Sequence, residues 1–183
     1  VQNEDVYQKT VTNKVNYIQL QEREELTNMI ANNVKEQLGN LALQVYRKLE
    51  NEYYIDVAKL DLSRSYLNNS RYEDALVLCE QLLNSKGLNE SIRLQALAYY
   101  AFIMATKNEP DYRSASLCYE EVSCASNANY LSAQDYWVWA YSLSKIGDFT
   151  DSQRIVNQMA SIDTSATAYY CKYLIAKNEN RQS

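Results

Sequence analysis

Residues 135–152 read DYWVWAYSLSKIGDFTDS and place five aromatic side chains within fifteen positions. Such a density fits the wall of a ligand pocket, and it also fits one worn copy of a repeat. A pocket needs chemistry among its neighbours; a repeat needs the same spacing elsewhere in the chain. The stretch carries its own punctuation. Gly147 can take the left-handed conformation that ends a helix, and Asp148 beside it can cap the next one. The local expectation is therefore a helix over 132–146 followed by a second over 149–161.

Similar stop and start marks recur upstream. Ser70-Arg71-Tyr72-Glu73 fits a capping box, in which the serine oxygen takes a free amide and the glutamate returns to the cap amide. Gly87 can end a helix and Asn89 can cap the next, while Pro110 fits a first-turn position where its missing N–H costs nothing. Asp163 or Thr164 can open a last helix. Apolar residues recur at helical spacing, and no segment alternates long enough to make a strand. These marks predict helices near 53–68, 71–85, 90–107, 111–124, 132–146, 149–161 and 165–178. Upstream, Leu26, Met29, Ile30, Val34, Leu38, Leu41, Val45 and Leu49 step by threes and fours. That spacing marks a long amphipathic helix over 23–51, with Gly39-Asn40 as a place to kink or split. The more polar run from Val6 to Leu20 is expected to form a shorter helix or a frayed arm.

Composition agrees with an all-α chain. With 183 residues the chain suits one domain, able to bury roughly 70% of the surface of its unfolded form. Three glycines and one proline are too few for the corners of a turn-rich β architecture. The net charge is −5, with Lys and Arg spread singly, so no basic stripe is present to bind nucleic acid. Four cysteines, at 79, 118, 124 and 171, form no C-x-x-C pair, and there is no histidine to complete a metal site. They read as small buried hydrophobes, and an even count neither requires nor excludes an oxidising environment. No run approaches the ~18 apolar residues that span a bilayer, and the first residues lack the form of a signal peptide. Beginning at Val1, the chain is expected to be a processed or excised piece.

Aligning the predicted hairpins on one small residue, Ser63, Ala101 and Ala140, gives spacings of 38 and 39 residues. Periods in this range indicate stacked helix pairs. The first unit then carries Leu62-Ser63, Tyr66, Tyr72, Ala75, Cys79 and Leu82. The second carries Leu97, Tyr100-Ala101, Met104, Tyr112, Ala115, Tyr119 and Val122, with about two extra residues in its turn. The third carries Tyr136, Trp139-Ala140, Leu143, Gly147, Phe149, Ser152, Val156 and Met159. A fourth begins with Tyr170, Tyr173 and Leu174. The pattern resembles the tetratricopeptide repeat family over about residues 53–178. It departs from the family in a period above the usual ~34 residues, in the missing fold-back proline, and in Leu174 at a small-residue position. The resemblance implies a right-handed superhelical stack of antiparallel helix pairs, about three and a half hairpins over 53–183, preceded by an N-terminal helical region over 1–52. The 23–51 helix is expected to cap the first hairpin or to be a worn hairpin itself.

Catalysis finds little material. Glu24-Glu25 and Glu120-Glu121 are adjacent on helices, where neighbours point about 100° apart and do not converge. None of the three glycines lies in a phosphate-cradling motif. No cofactor or metal is expected, and a non-catalytic module binding a protein or peptide partner is favoured. In the resembling family the concave surface is lined from the first helix of each pair. Carried over, that surface is Leu60, Arg64, Ala98, Phe102, Trp137 and Tyr141, with Ile175 further on: an aromatic, apolar groove for a peptide or partner helix. Trp139 and Tyr100 are expected in the core. The Tyr- and Asn-rich repeats also look like the tetratricopeptide portions of bacterial regulators and lipoproteins, notably in Bacteroidota. That alternative, a sensory or regulatory region, implies an anchor, lipid signal or DNA-binding domain outside these boundaries. The 23–51 helix and the open last helix are the surfaces expected to self-associate.

Overall fold

The computed structural model describes the backbone of residues 2–125 and 130–162, with side chains over 21–125 and 130–159. Seven helices make up this region: α1 (Gln2–Lys48), α2 (Glu52–Asn68), α3 (Tyr72–Leu83), α4 (Glu90–Thr106), α5 (Tyr112–Cys124), α6 (Ala133–Lys145) and α7 (Phe149–Ile162). No strand occurs among the described residues. From α2 onward each boundary falls within two residues of its expected place. The expected helix over 165–178, its caps Asp163 and Thr164, and Ile175 lie outside the described residues.

Local capping explains most of the boundaries. Asn51, Asn89 and Asp111 each accept a first-turn amide, from Tyr54 at 3.2 Å, Ser91 at 2.9 Å and Ser114 at 3.0 Å. Ser132 and Asp135 form a reciprocal capping box at the start of α6. Gly147, directly after the α6 C-cap Ile146, adopts φ 85° as a helix-ending residue does, whereas Gly87, at φ 76°, lies in a separate turn three residues beyond the α3 C-cap Asn84, so α3 ends without it. Two expected caps fall differently. Ser70 has φ 57° and lies in the turn, so its hydroxyl does not cap; Arg71 is the N-cap residue and makes no side-chain cap bond. Pro110 stands one residue ahead of the Asp111 cap rather than inside the first turn, leaving the capping to the aspartate.

Neighbouring helices pack in sequence order, and contacts also join α2 to α4 and α4 to α6. The aligned small residues explain how the helices approach. Ser63, Ala101 and Ala140 in α2, α4 and α6, and Ala75, Ala115 and Ser152 in α3, α5 and α7, are all completely buried. The Ser152 hydroxyl donates to the Ala140 carbonyl across the α6–α7 contact at 2.7 Å. The turns repeat as well. The amides of Arg71, Asp111 and Asp148 donate to the carbonyls of Tyr66, Met104 and Leu143, each three residues after the aligned small residue. A repeat-like helical array is thus written into both packing and turn hydrogen bonds. Trp139 lies in the main core with Tyr119 and Tyr136, its ring centroid 6.1 Å and 6.3 Å from theirs. Tyr100, also expected in the core, packs on it but stays half-buried.

The first helix corrects the sequence reading twice. The segments before and after residue 22 form one helix of 47 residues, about 70 Å long, without a break at Gly39-Asn40. Gly39 has a different use: a Cβ built there would stand 3.3 Å from Leu62 Cδ1, so the glycine lets α1 approach α2. The face that packs on the array carries Asn32, Glu36, Gly39, Asn40, Leu43 and Tyr46. Glu36 receives hydrogen bonds from Asn69, at 3.0 Å, and from Arg71, fastening α1 to the α2–α3 turn. Except for Met29, which borders the α2–α3 turn, the expected apolar stripe from Leu26 to Leu49 is exposed and centred about half a turn round the helix from this face.

Candidate interaction surface

The six residues assigned to a concave groove do not share one environment. Leu60 packs with Leu82, Ile92 and Ala96, and Ala98 joins the main core; both are buried and offer a partner no side chain. The reason is their place on inward faces of α2 and α4, covered by the neighbouring hairpin. Arg64 is exposed and paired with Asp61 at 2.9 Å. It lines a cleft of about 630 Å³ between α1 and α2, together with Lys35, Leu38 and Tyr46.

Phe102, Trp137 and Tyr141 are half-buried. On α6, Trp137 stacks on Tyr141 with ring centroids 5.6 Å apart and planes 9° apart, and Lys145 Nζ sits 5.0 Å from the Tyr141 centroid. The three residues are spaced four apart, which places them in a row on one helix face. Tyr141 also meets Tyr112 at the start of α5 edge-on, at 6.0 Å, while Phe102 of α4 meets Tyr72 at the start of α3 at 6.4 Å. Burial, then the neighbouring Tyr141, pushes the Tyr112 phenol above its ordinary pKa. The seam between successive hairpins is therefore lined twice by an aromatic from the later first helix and one from the earlier second helix. Contacts of this kind contribute about 0.5–1.5 kcal/mol each beyond burial, and they hold the rings in fixed orientations.

Tyr72, Tyr112 and Lys145 were not among the residues chosen from sequence. The first two occupy the turn-aromatic position of the aligned units, which is the signal that could have identified them. Lys145 follows Tyr141 by one helical turn and was legible from spacing alone. A second cleft, of about 240 Å³ between α5, α6 and α7, is rimmed by the exposed Leu117 and Ile146 and by Arg113 and Arg154.

The adjacent carboxylates stand on exposed helix faces. Glu121 is engaged by Arg93, which also binds Glu90 at 2.8 Å, and together these tie α4 to α5. Among the described residues no group of three His, Cys, Asp or Glu side chains is placed to hold a metal ion, and no helix is long and apolar enough to cross a membrane. Set against known protein families, curated proteins and solved structures, the chain matches none of them.

Proposed function

We propose that the chain is a non-catalytic, tetratricopeptide-like interaction module, and that it binds a peptide or partner helix along the seam-lining aromatics of α4 and α6. The observation that carries this reading is the half-buried Trp137–Tyr141–Lys145 row. Core aromatics such as Trp139 are sealed, whereas Trp137 and Tyr141 keep part of each ring in solvent while their orientation is already fixed. Rings held in this way cost little further entropy on binding, and aromatic anchors dominate the energetics of protein recognition. Lys145 adds a positive charge beside them, suited to an acidic residue next to the apolar anchors of a ligand. Phe102 carries the same aromatic pairing to the α3–α4 seam, where it meets Tyr72, and Arg64 is an exposed cation on α2. Leu60 and Ala98 support the array from beneath and are not contact residues.

The test is a peptide-display selection against the chain, followed by affinity measurement of the recovered peptides on Trp137→Ala/Tyr141→Ala. The double variant is expected to keep its helical circular dichroism and to lose at least tenfold in affinity. Undiminished binding of every selected peptide would remove the surface from consideration.

A further inference from the structure

We infer that the outward face of α1 is a self-association surface, on which a second copy of this chain docks its own α1 in antiparallel orientation. The stripe includes Leu26, Ile30, Val34, Leu38, Leu41, Val45 and Leu49, which are 45–67% exposed, while Met29 lies on the side of Asn32 and Glu36 that faces the α2–α3 turn. Together these seven side chains form one continuous exposed apolar stripe, the kind of surface that marks an association site. Leu38 alone borders the α1–α2 cleft; among the described residues the rest of the stripe packs on nothing, because α1 meets α2 through the opposite, more polar face. A partner helix can reach it from the free side, giving the layer order α2, α1, α1 and α2 of the second copy.

Two features select a second copy running antiparallel. The stripe is nearly symmetric about Leu38: with a two-fold axis there, Leu26 meets the second copy's Leu49, Ile30 meets Val45, Val34 meets Leu41, and the two Leu38 side chains approach each other. A self-complementary patch of this kind is what a two-fold interface requires. The charges point the same way. Glu22, Glu24 and Glu25 outweigh Arg23 at the start of the stripe, and Arg47 and Lys48 outweigh Glu50 at its end. None of these has an ion-pair partner among the described residues. In the antiparallel register Glu24 falls within about one helical turn of the second copy's Arg47 and Lys48, while Glu25 lies on the side of Asn32 and Glu36, away from the seam. A parallel pair would set acids against acids and bases against bases.

Sedimentation equilibrium of the full 183-residue chain tests this, with a mass of twice 21.2 kDa expected at micromolar concentration. Val34→Glu with Leu41→Glu, both at exposed positions, is expected to give a monomer of unchanged helicity, with the dissociation constant raised roughly a hundredfold or more. Glu24→Lys is expected to weaken the dimer several-fold, and adding Arg47→Glu with Lys48→Glu to the same chain to restore it. A wild-type monomer throughout the micromolar range, or a dimer indifferent to Val34→Glu/Leu41→Glu, overturns the inference. Charge reversals without effect, or not rescued when combined, overturn the antiparallel arrangement. Since these variants leave α4 and α6 untouched, peptide binding at Trp137 and Tyr141 is read separately.

Discussion

The backbone just ahead of each second helix must turn sharply, and two of the three turns do so through a left-handed residue. In the α6–α7 turn this residue is Gly147, at φ 85°; in the α2–α3 turn it is Ser70, at φ 57°. A side chain in this region costs about 1–2 kcal/mol, and a glycine loses roughly 0.5–1 kcal/mol more entropy on folding than other residues. The strain is the larger of the two. Ser70→Gly is therefore expected to raise unfolding free energy by about 0.5–1 kcal/mol in urea titration, with no change in helicity; a loss of stability would show that Ser70 caps α3 after all. The capping box read from Ser70 and Glu73 failed because a four-residue motif carries no record of backbone sign. Alignment with Gly147 did carry one. Cys79 offers a second prediction at this scale. Burial pushes its thiol up to about 12, countered only partly by the Ser63 hydroxyl, and Cys118 is pushed up to about 11. Cys124 is exposed. At pH 8 a thiolate-selective reagent should label Cys124 within minutes and Cys79 only as fast as the array opens, as read by peptide mass mapping. Prompt labelling of Cys79 in the native chain would contradict its burial.

Among the elements, α1 separates what periodicity reveals from what it does not. The threes-and-fours pattern recognised the later half of the helix as helical but not its start at Gln2, because the pattern reports backbone geometry only where apolar residues mark it. It gave the wrong inward face, since the usual inference assumes that the apolar stripe meets the core of its own chain. The face that does so was written in Gly39, Glu36 and Asn40, residues that ordinarily read as breakers or surface. Helices α2 to α7 were legible because small residues, apolar spacing and most caps agreed, and their aligned small residues are buried as a set. The groove was less legible: Leu60 and Ala98 share the first-helix register with exposed positions, and only their three-dimensional neighbours seal them. Gly39 supplies the test at this scale. A glycine within a helix costs about 1 kcal/mol relative to alanine, yet its missing Cβ stands 3.3 Å from the buried Leu62 side chain. These terms nearly cancel, so Gly39→Ala is expected to stay within about 0.5 kcal/mol of the parent. Gly39→Leu has no room against α2 and should cost about 2 kcal/mol or more. Helix propensity acting alone would make both substitutions stabilising, and thermal denaturation of the pair decides.

Across the whole molecule, stability is expected to be distributed along the chain. Each helix pair contacts only its neighbours: α2 touches α4 and α4 touches α6, but no contact joins α2 to α6 among the described residues. An array of this kind behaves nearly as a one-dimensional chain of units, each stabilised by itself and by the units beside it. Trp139 sits where the second and third hairpins meet, 2% exposed between Tyr119 and Tyr136. Removing it opens a cavity, and truncations of buried aromatics cost about 3–5 kcal/mol, a large share of the ~5–15 kcal/mol typical of a domain. Trp137, two residues away on the same helix, packs on the edge of that core and stays half-buried, so its loss should cost less, about 1–2 kcal/mol. The two substitutions differ in reach as well as size. In Trp139→Ala, amide hydrogen exchange should accelerate through α5, α6 and α7 while α2 and α3 keep most of their protection, since their own core of Leu43, Ile55, Ala58, Leu62 and Leu78 does not touch the lesion. Trp137→Ala should leave the exchange pattern of the parent intact. Uniform acceleration from α2 to α7 in Trp139→Ala would mean that the helices unfold as one cooperative body, and that the repeat-like packing does not divide the molecule energetically.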